Sequence, residues 1–255
     1  MKIYAIIAII ISLLILSACA GQDEDEKDKI PPYPPTLIPH LGNTGDPPVM
    51  YNGQQIILNE DNNGIDAVPD GNWIRVIWNP FIDTDLSHVK IYRYDQFDTN
   101  PVLIDSISST AIQYVDSQTQ LNERTWYSYF IDLVDFSGNV ARSDTVSYAL
   151  LGKCILLSPE NNQTISPIGA SFLWNRSGFA STYRLLLFDE NYNYIWHQDF
   201  VVATEDDPLS ITIPVNIAMQ YSGQSLRWRV DALDWDEEMQ MFMGSESLER
   251  IVHIQ

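Results

Sequence analysis

Cysteine, positive charge and long apolar runs are all scarce in this chain. Only Cys19 and Cys154 occur among 255 residues, too few for a disulfide framework. Lys and Arg number 14 against 34 Asp and Glu, a formal net charge of -20. Nucleic-acid binding rests on cations that neutralise phosphates, so no nucleic-acid partner is expected. The longest largely apolar run, Ile3 to Leu16, falls short of the roughly 20 residues that a membrane-spanning helix needs. The histidines His40, His88, His197 and His253 are scattered, with no helix to bring two together, so no zinc site is expected. A Gly-x-Ser-x-Gly elbow, a phosphate loop and a His-Glu-x-x-His pair are all missing. The chain is therefore read as non-catalytic, with no catalytic residue and no cofactor.

What is present begins with an address. Met1-Lys2 gives a short positive start, and Ile3 to Leu16 suits the core of a signal peptide spanning 1–18. Leu16-Ser17-Ala18-Cys19 resembles the bacterial lipobox. The resemblance implies cleavage before Cys19, a lipid on its thiol (diacylglycerol, with palmitate as the label to follow) and attachment to a membrane. An uncleaved signal anchor is the competing reading. Ala20 rather than aspartate follows the cysteine, which under the enteric sorting rule implies the outer membrane. The acidic run Gln22 to Lys29 is similar to the surface-export signal of Bacteroidetes lipoproteins; its charge density alone equally suits a solvated tether. The periplasmic and cell-surface faces both stay open. With Cys19 committed to lipid, no intrachain disulfide is expected, and Cys154, beside Ile155-Leu156-Leu157, reads as a buried strand thiol.

Residues 19–35 form the tether. Its end, Pro31-Pro32-Tyr33-Pro34-Pro35, favours extended polyproline geometry. From 36 to 151 the chain reads as short strands separated by turns. Asn72 to Trp78 alternates, Val89 to Tyr94 and Trp126 to Val134 are β-branched and aromatic, and Asp135-Phe136-Ser137-Gly138-Asn139 is a turn. Such spacing indicates an all-β sandwich. Trp78 after an alternating strand, Asp83-Thr84-Asp85-Leu86 before Val89-Lys90-Ile91-Tyr92-Arg93, and Leu121 to Tyr127 before the F–G turn resemble a fibronectin type III domain. The resemblance implies a core role for Trp78 and a tyrosine corner, in which Tyr127 hydrogen-bonds back to the chain upstream.

The segment 42–71 is long for one strand and a turn, and it departs from the family pattern. Val49-Met50-Tyr51 and Gln55-Ile56-Ile57-Leu58 suggest an extra hairpin around Asn52-Gly53. Asp61, Asn63 and Asp66 are a candidate Ca²⁺ cluster without the ordered spacing of a calcium loop. A solvated loop is the other reading.

Residues 152–255 echo the first unit. Phe172-Leu173-Trp174-Asn175 matches Val76-Ile77-Trp78-Asn79, and Trp228 to Asp234 matches Tyr129 to Asp135, at nearly one offset. A tandem repeat is expected: two Greek-key, fibronectin type III-like β-sandwich domains. Tyr192, Tyr194 and Trp196 alternate, so on a regular strand they line one face. Such an aromatic stripe suits stacking on sugar rings; core packing and cross-strand pairing are the plainer readings. The function expected is an interaction, adhesion or display module that meets an envelope protein. The alternative is a carbohydrate-binding accessory lipoprotein that meets a glycan.

Overall fold

The computed structural model describes residues 28–39, 49–51, 54–56, 66–176, 178–202 and 208–255. The signal peptide, Cys19, Asp61 and Asn63 lie outside them, and Asp66 enters only through its backbone.

The first sandwich packs two antiparallel sheets. The smaller joins β3 (Asp66–Ala67), β4 (Ile74–Ile77) and β7 (Gln113–Val115). The larger has the order β10 (Val146–Ala149), β8 (Trp126–Asp135), β5 (Leu86–Asp95), β6 (Val102–Ser108), with β9 (Val140–Arg142) also on β8. Alternation in β4 buries Ile74 and Val76. In the partner sheet it buries Val89, Ile91, Tyr129, Ile131 and Leu133. Trp78 sits among them, 1% exposed, and its indole Nε1 donates to the Ala111 carbonyl at 2.9 Å. Burying that much ring while satisfying its one donor is what a core tryptophan requires.

The tyrosine corner forms. The Asn122 backbone N–H donates to Tyr127 Oη at 2.9 Å. Tyr127→Phe keeps the packing and removes that acceptor, so we expect a loss of about 0.5–1.5 kcal/mol by urea denaturation. A change below 0.2 kcal/mol would mean that water substitutes fully. The hairpin around Asn52-Gly53 is also present: β1 (Val49–Tyr51) pairs with β2 (Gln54–Ile56) in a separate two-stranded sheet.

The second sandwich repeats the plan. Its smaller sheet is β11 (Ile155–Ser158), β13 (Ser171–Asn175), β16 (Leu209–Thr212). The larger runs β12 (Gln163–Ile165), β19 (Arg250–Ile254), β17 (Ser225–Asp236), β14 (Thr182–Phe188), β15 (Tyr194–Val201), with β18 (Met241–Glu246) also on β17. A short helix, α1 (Val215–Gln220), precedes β17. Trp174 and Trp228 are fully buried, the counterparts of Trp78 and Tyr129 in the repeat. Cys154 is buried in this core. The chain is thus nearly all β, in two antiparallel sandwiches. Among the described residues no helix is long and apolar enough to cross a membrane.

The sandwiches are joined over several contacts. Trp126 and Ala149, from β8 and β10 of the first, belong to the hydrophobic core of the second. Leu150 bridges to Gly244, the Leu151 N–H donates to the Gly244 carbonyl at 3.1 Å, and Ser245 Oγ donates to the Gly152 carbonyl at 3.0 Å.

Candidate functional site

The tether is the first candidate, because it links the expected lipid to the fold. Its described part docks at the F–G turn. Asn139 Nδ2 donates to the carbonyls of Asp28 (3.0 Å) and Ile30 (3.2 Å), and the Tyr33 N–H donates to Asp83 Oδ2 (3.1 Å). Asn139 is held in turn by Asp135, which accepts its N–H and its Nδ2, both at 2.8 Å. Burial alone raises the Asp135 carboxyl, but the Asn139 bonds and the Ser137 and Gly138 amides hold it below the usual carboxylate range. Ligand oxygens of Asp28, Asp85 and Asp135 lie within 4.8 Å of one another. The sequence reading overlooked this trio because its members are spread over more than a hundred residues.

The aromatic stripe requires a correction. Tyr192, Tyr194 and Trp196 do not line one face. The Asp189 carboxylate captures the N–H groups of Asn191 (2.8 Å) and Asn193 (2.9 Å), and the turn drives Tyr192 into left-handed backbone geometry, φ 61°. A register shift then separates the other two: Trp196 pairs with Leu187, and Tyr194 with Phe188. Leu187 belongs to the sandwich core, and Trp196 packs against that core. Tyr194 turns to the opposite face, where its hydroxyl meets His197 Nδ1. Tyr192 lies under the Arg227 guanidinium, 4.2 Å from ring centroid to Cζ. A strict period of two was assumed, and the bulge breaks it.

The histidines are engaged locally. His88 meets Ser87 Oγ at 3.0 Å, and His253 meets Ser225 Oγ at 2.9 Å. His40 lies outside the described residues.

A cleft of about 610 Å³ opens where the sandwiches meet, walled by Pro69, Asn72 and Gln120 on one side and Ile155, Leu248 and Arg250 on the other. Leu248 is 62% exposed and Ile155 57%. Arg250 is committed to structure: its guanidinium donates to the carbonyls of Leu156 (2.7 Å), Leu157 (3.0 Å) and Pro159 (2.9 Å). With apolar walls and amide groups, the cleft offers a docking surface for an apolar or extended chain segment. Sequence reading missed it because it is made by juxtaposition.

These features define a class: an all-β protein of antiparallel sandwiches in the fibronectin type III-like arrangement, with surfaces suited to contact. No family model and no curated protein matches the chain. Among solved structures it is similar to the FN1–FN3 domains of chicken CNTN1, with 10% identity over 74% of this chain and 64% of that one, TM-score 0.30. It is similar to a Fn3-like protein from Clostridium thermocellum, with 22% identity over 33% of this chain and 84% of that one, TM-score 0.26. It is also similar to pectate lyase Pel3 from Pectobacterium carotovorum, with 19% identity over 40% of this chain, TM-score 0.27. The match spans 30% of that lyase chain.

Proposed function

We propose that the protein is a non-catalytic, lipid-anchored module of the bacterial outer membrane that holds its second sandwich away from the lipid for contact with an envelope protein. The arrangement of β8 carries this reading. Its first residue, Trp126, packs into the second sandwich. Its last, Asp135, holds the Asn139 side chain on which the tether docks. The ten residues of β8 span about 30 Å at roughly 3.3 Å each. The chain thus leaves the first sandwich toward Cys19 at the end opposite the second. From Cys19 to Asp28 the tether adds at most about 30 Å more when extended.

Attachment is tested with Cys19→Ser. The wild-type chain is expected to take up labelled palmitate and sediment with the outer membrane. The variant should accumulate as a slower-migrating precursor without label. Label retained by the variant would remove Cys19 as the acceptor and with it the anchored reading.

A further inference from the structure

The larger sheet of the second sandwich has two faces. One contributes Leu185 and Leu187 of β14, and Leu226, Trp228, Val230 and Ala232 of β17, to the core. Alternation sends Arg184, Leu186 and Phe188, with Arg229, Asp231 and Leu233, to the other. In a two-layer sandwich that outer face meets water. Here it does not. Leu186, Phe188, Arg229 and Asp231 each have a relative exposure of 0%. Their neighbours β15, β18 and β19 are strands of the same sheet. These lie beside the side chains rather than above them, so the burial calls for a further layer.

We propose that the insertion, residues 41–65, is that layer: a strap from the first sandwich laid over the outer face of the second. Three observations converge. The strap ends at the rim of the face. Asp66–Ala67 form β3, which contacts β18. The Lys153 ammonium joins the next carbonyl, that of Val68, to the carbonyl of Glu246. Glu246 is the residue whose carboxylate binds Arg229 on the face. Charge is complementary. The segment carries Asp46, Glu60 and Asp61 and no Lys or Arg, while the face carries Arg184, Arg227, Arg229 and His197. Finally, β1 and β2 pair only with each other. An isolated hairpin is marginal in water and needs another surface. Val49, Met50, Tyr51, Ile56, Ile57 and Leu58 supply the apolar matter that Leu186, Phe188 and Leu233 require.

The test uses the full chain in mild detergent, with photo-reactive benzoylphenylalanine in place of Tyr192 at the rim of the face. After irradiation and proteolysis, the cross-linked peptide is expected to map within 41–65. A cross-link to residues before 28, a cross-link between two copies, or none to the insertion overturns the proposal. A second arm reads stability. Leu186→Asp places a charge under the strap and is expected to lower Tm by more than about 8 °C. With 42–64 replaced by a short Gly-Ser linker, the same substitution should lower Tm by less than half as much. Equal shifts in both backgrounds would also overturn the strap. If the linker variant does not fold, the cross-link decides.

Discussion

Arg229→Ala is expected to cost about 3–5 kcal/mol of stability, the scale on which a buried ion pair loses one partner. Arg229 is wholly buried. Its guanidinium donates to Glu246 at 3.0 and 2.6 Å, and its Nε lies 3.1 Å from Asp231 Oδ1. Asp231 is at 0% exposure and Glu246 at 3%. Removing the cation leaves two carboxylates in a poorly solvated place beside each other, and also removes the guanidinium from the Phe188 ring, 5.7 Å away. The total is a large share of the 5–15 kcal/mol that ordinary domains possess. The triple change Arg229→Met, Asp231→Asn, Glu246→Gln removes the charges and keeps the volume, so it should cost less than Arg229→Ala alone. Urea denaturation decides, and a triple variant as unstable as the single one would show that packing, not uncompensated charge, sets the cost.

The same cluster predicts a pH dependence. Burial, and then the Glu246 charge, push the Asp231 carboxyl well above its ordinary 3.8, while Arg229 opposes them. A carboxyl raised in the folded state contributes stability below its unfolded value and loses it as pH rises through the folded one. Arg229→Ala removes the opposing cation and raises Asp231 further. The deficit of the variant should therefore be smallest near pH 4 and grow toward pH 8. A deficit that is flat with pH would mean that Asp231 does not titrate in this range.

Much of the scaffold is legible in the sequence because its signals are local. Trp78, Tyr127, the Asn52-Gly53 hairpin and the matched strands of the repeat are each set by alternation or by one turn dipeptide. The stripe Tyr192, Tyr194, Trp196 fails for a physical reason. Its register depends on how Asp189 captures amides two and four residues on, and a one-residue shift moves a side chain to the other face. The buried charges fail for another. Trp228-Arg229-Val230-Asp231 has the alternation of a half-solvated strand, and nothing local signals that the polar face is covered. The acidic trio and the interdomain cleft depend on distances between residues far apart in the chain, so no spacing rule reaches them.

Trp126→Ala should be the second large effect, about 3–5 kcal/mol, and it should fall on both sandwiches at once. The ring belongs to β8 of the first sandwich by sequence and to the core of the second by packing, at 4% exposure. Truncating a buried tryptophan loses its transfer energy and leaves a cavity. The indole Nε1 also donates to Asp236 Oδ2 at 2.7 Å, across the junction. Beside it, Arg124 donates to Asp234 Oδ2 at 2.9 Å and to the Phe179 carbonyl at 2.7 Å. Because the core of one sandwich is completed by a side chain of the other, calorimetry of the wild-type chain should show a single transition. Trp126→Ala should lower it and split it in two. The bond to Trp126, then the Met239 amide, hold the Asp236 carboxyl below its ordinary 3.8, against a weaker effect of burial. A carboxyl lowered in the folded state contributes stability above its unfolded value and loses it as pH falls through the folded one. Acidification below about pH 4 should therefore loosen the junction in the wild type and leave Trp126→Ala less affected. Two transitions already present in the wild type at pH 7 would show that the shared tryptophan does not couple the units. The second sandwich would then swing on Leu150–Lys153 rather than stand at a fixed angle from the anchored one.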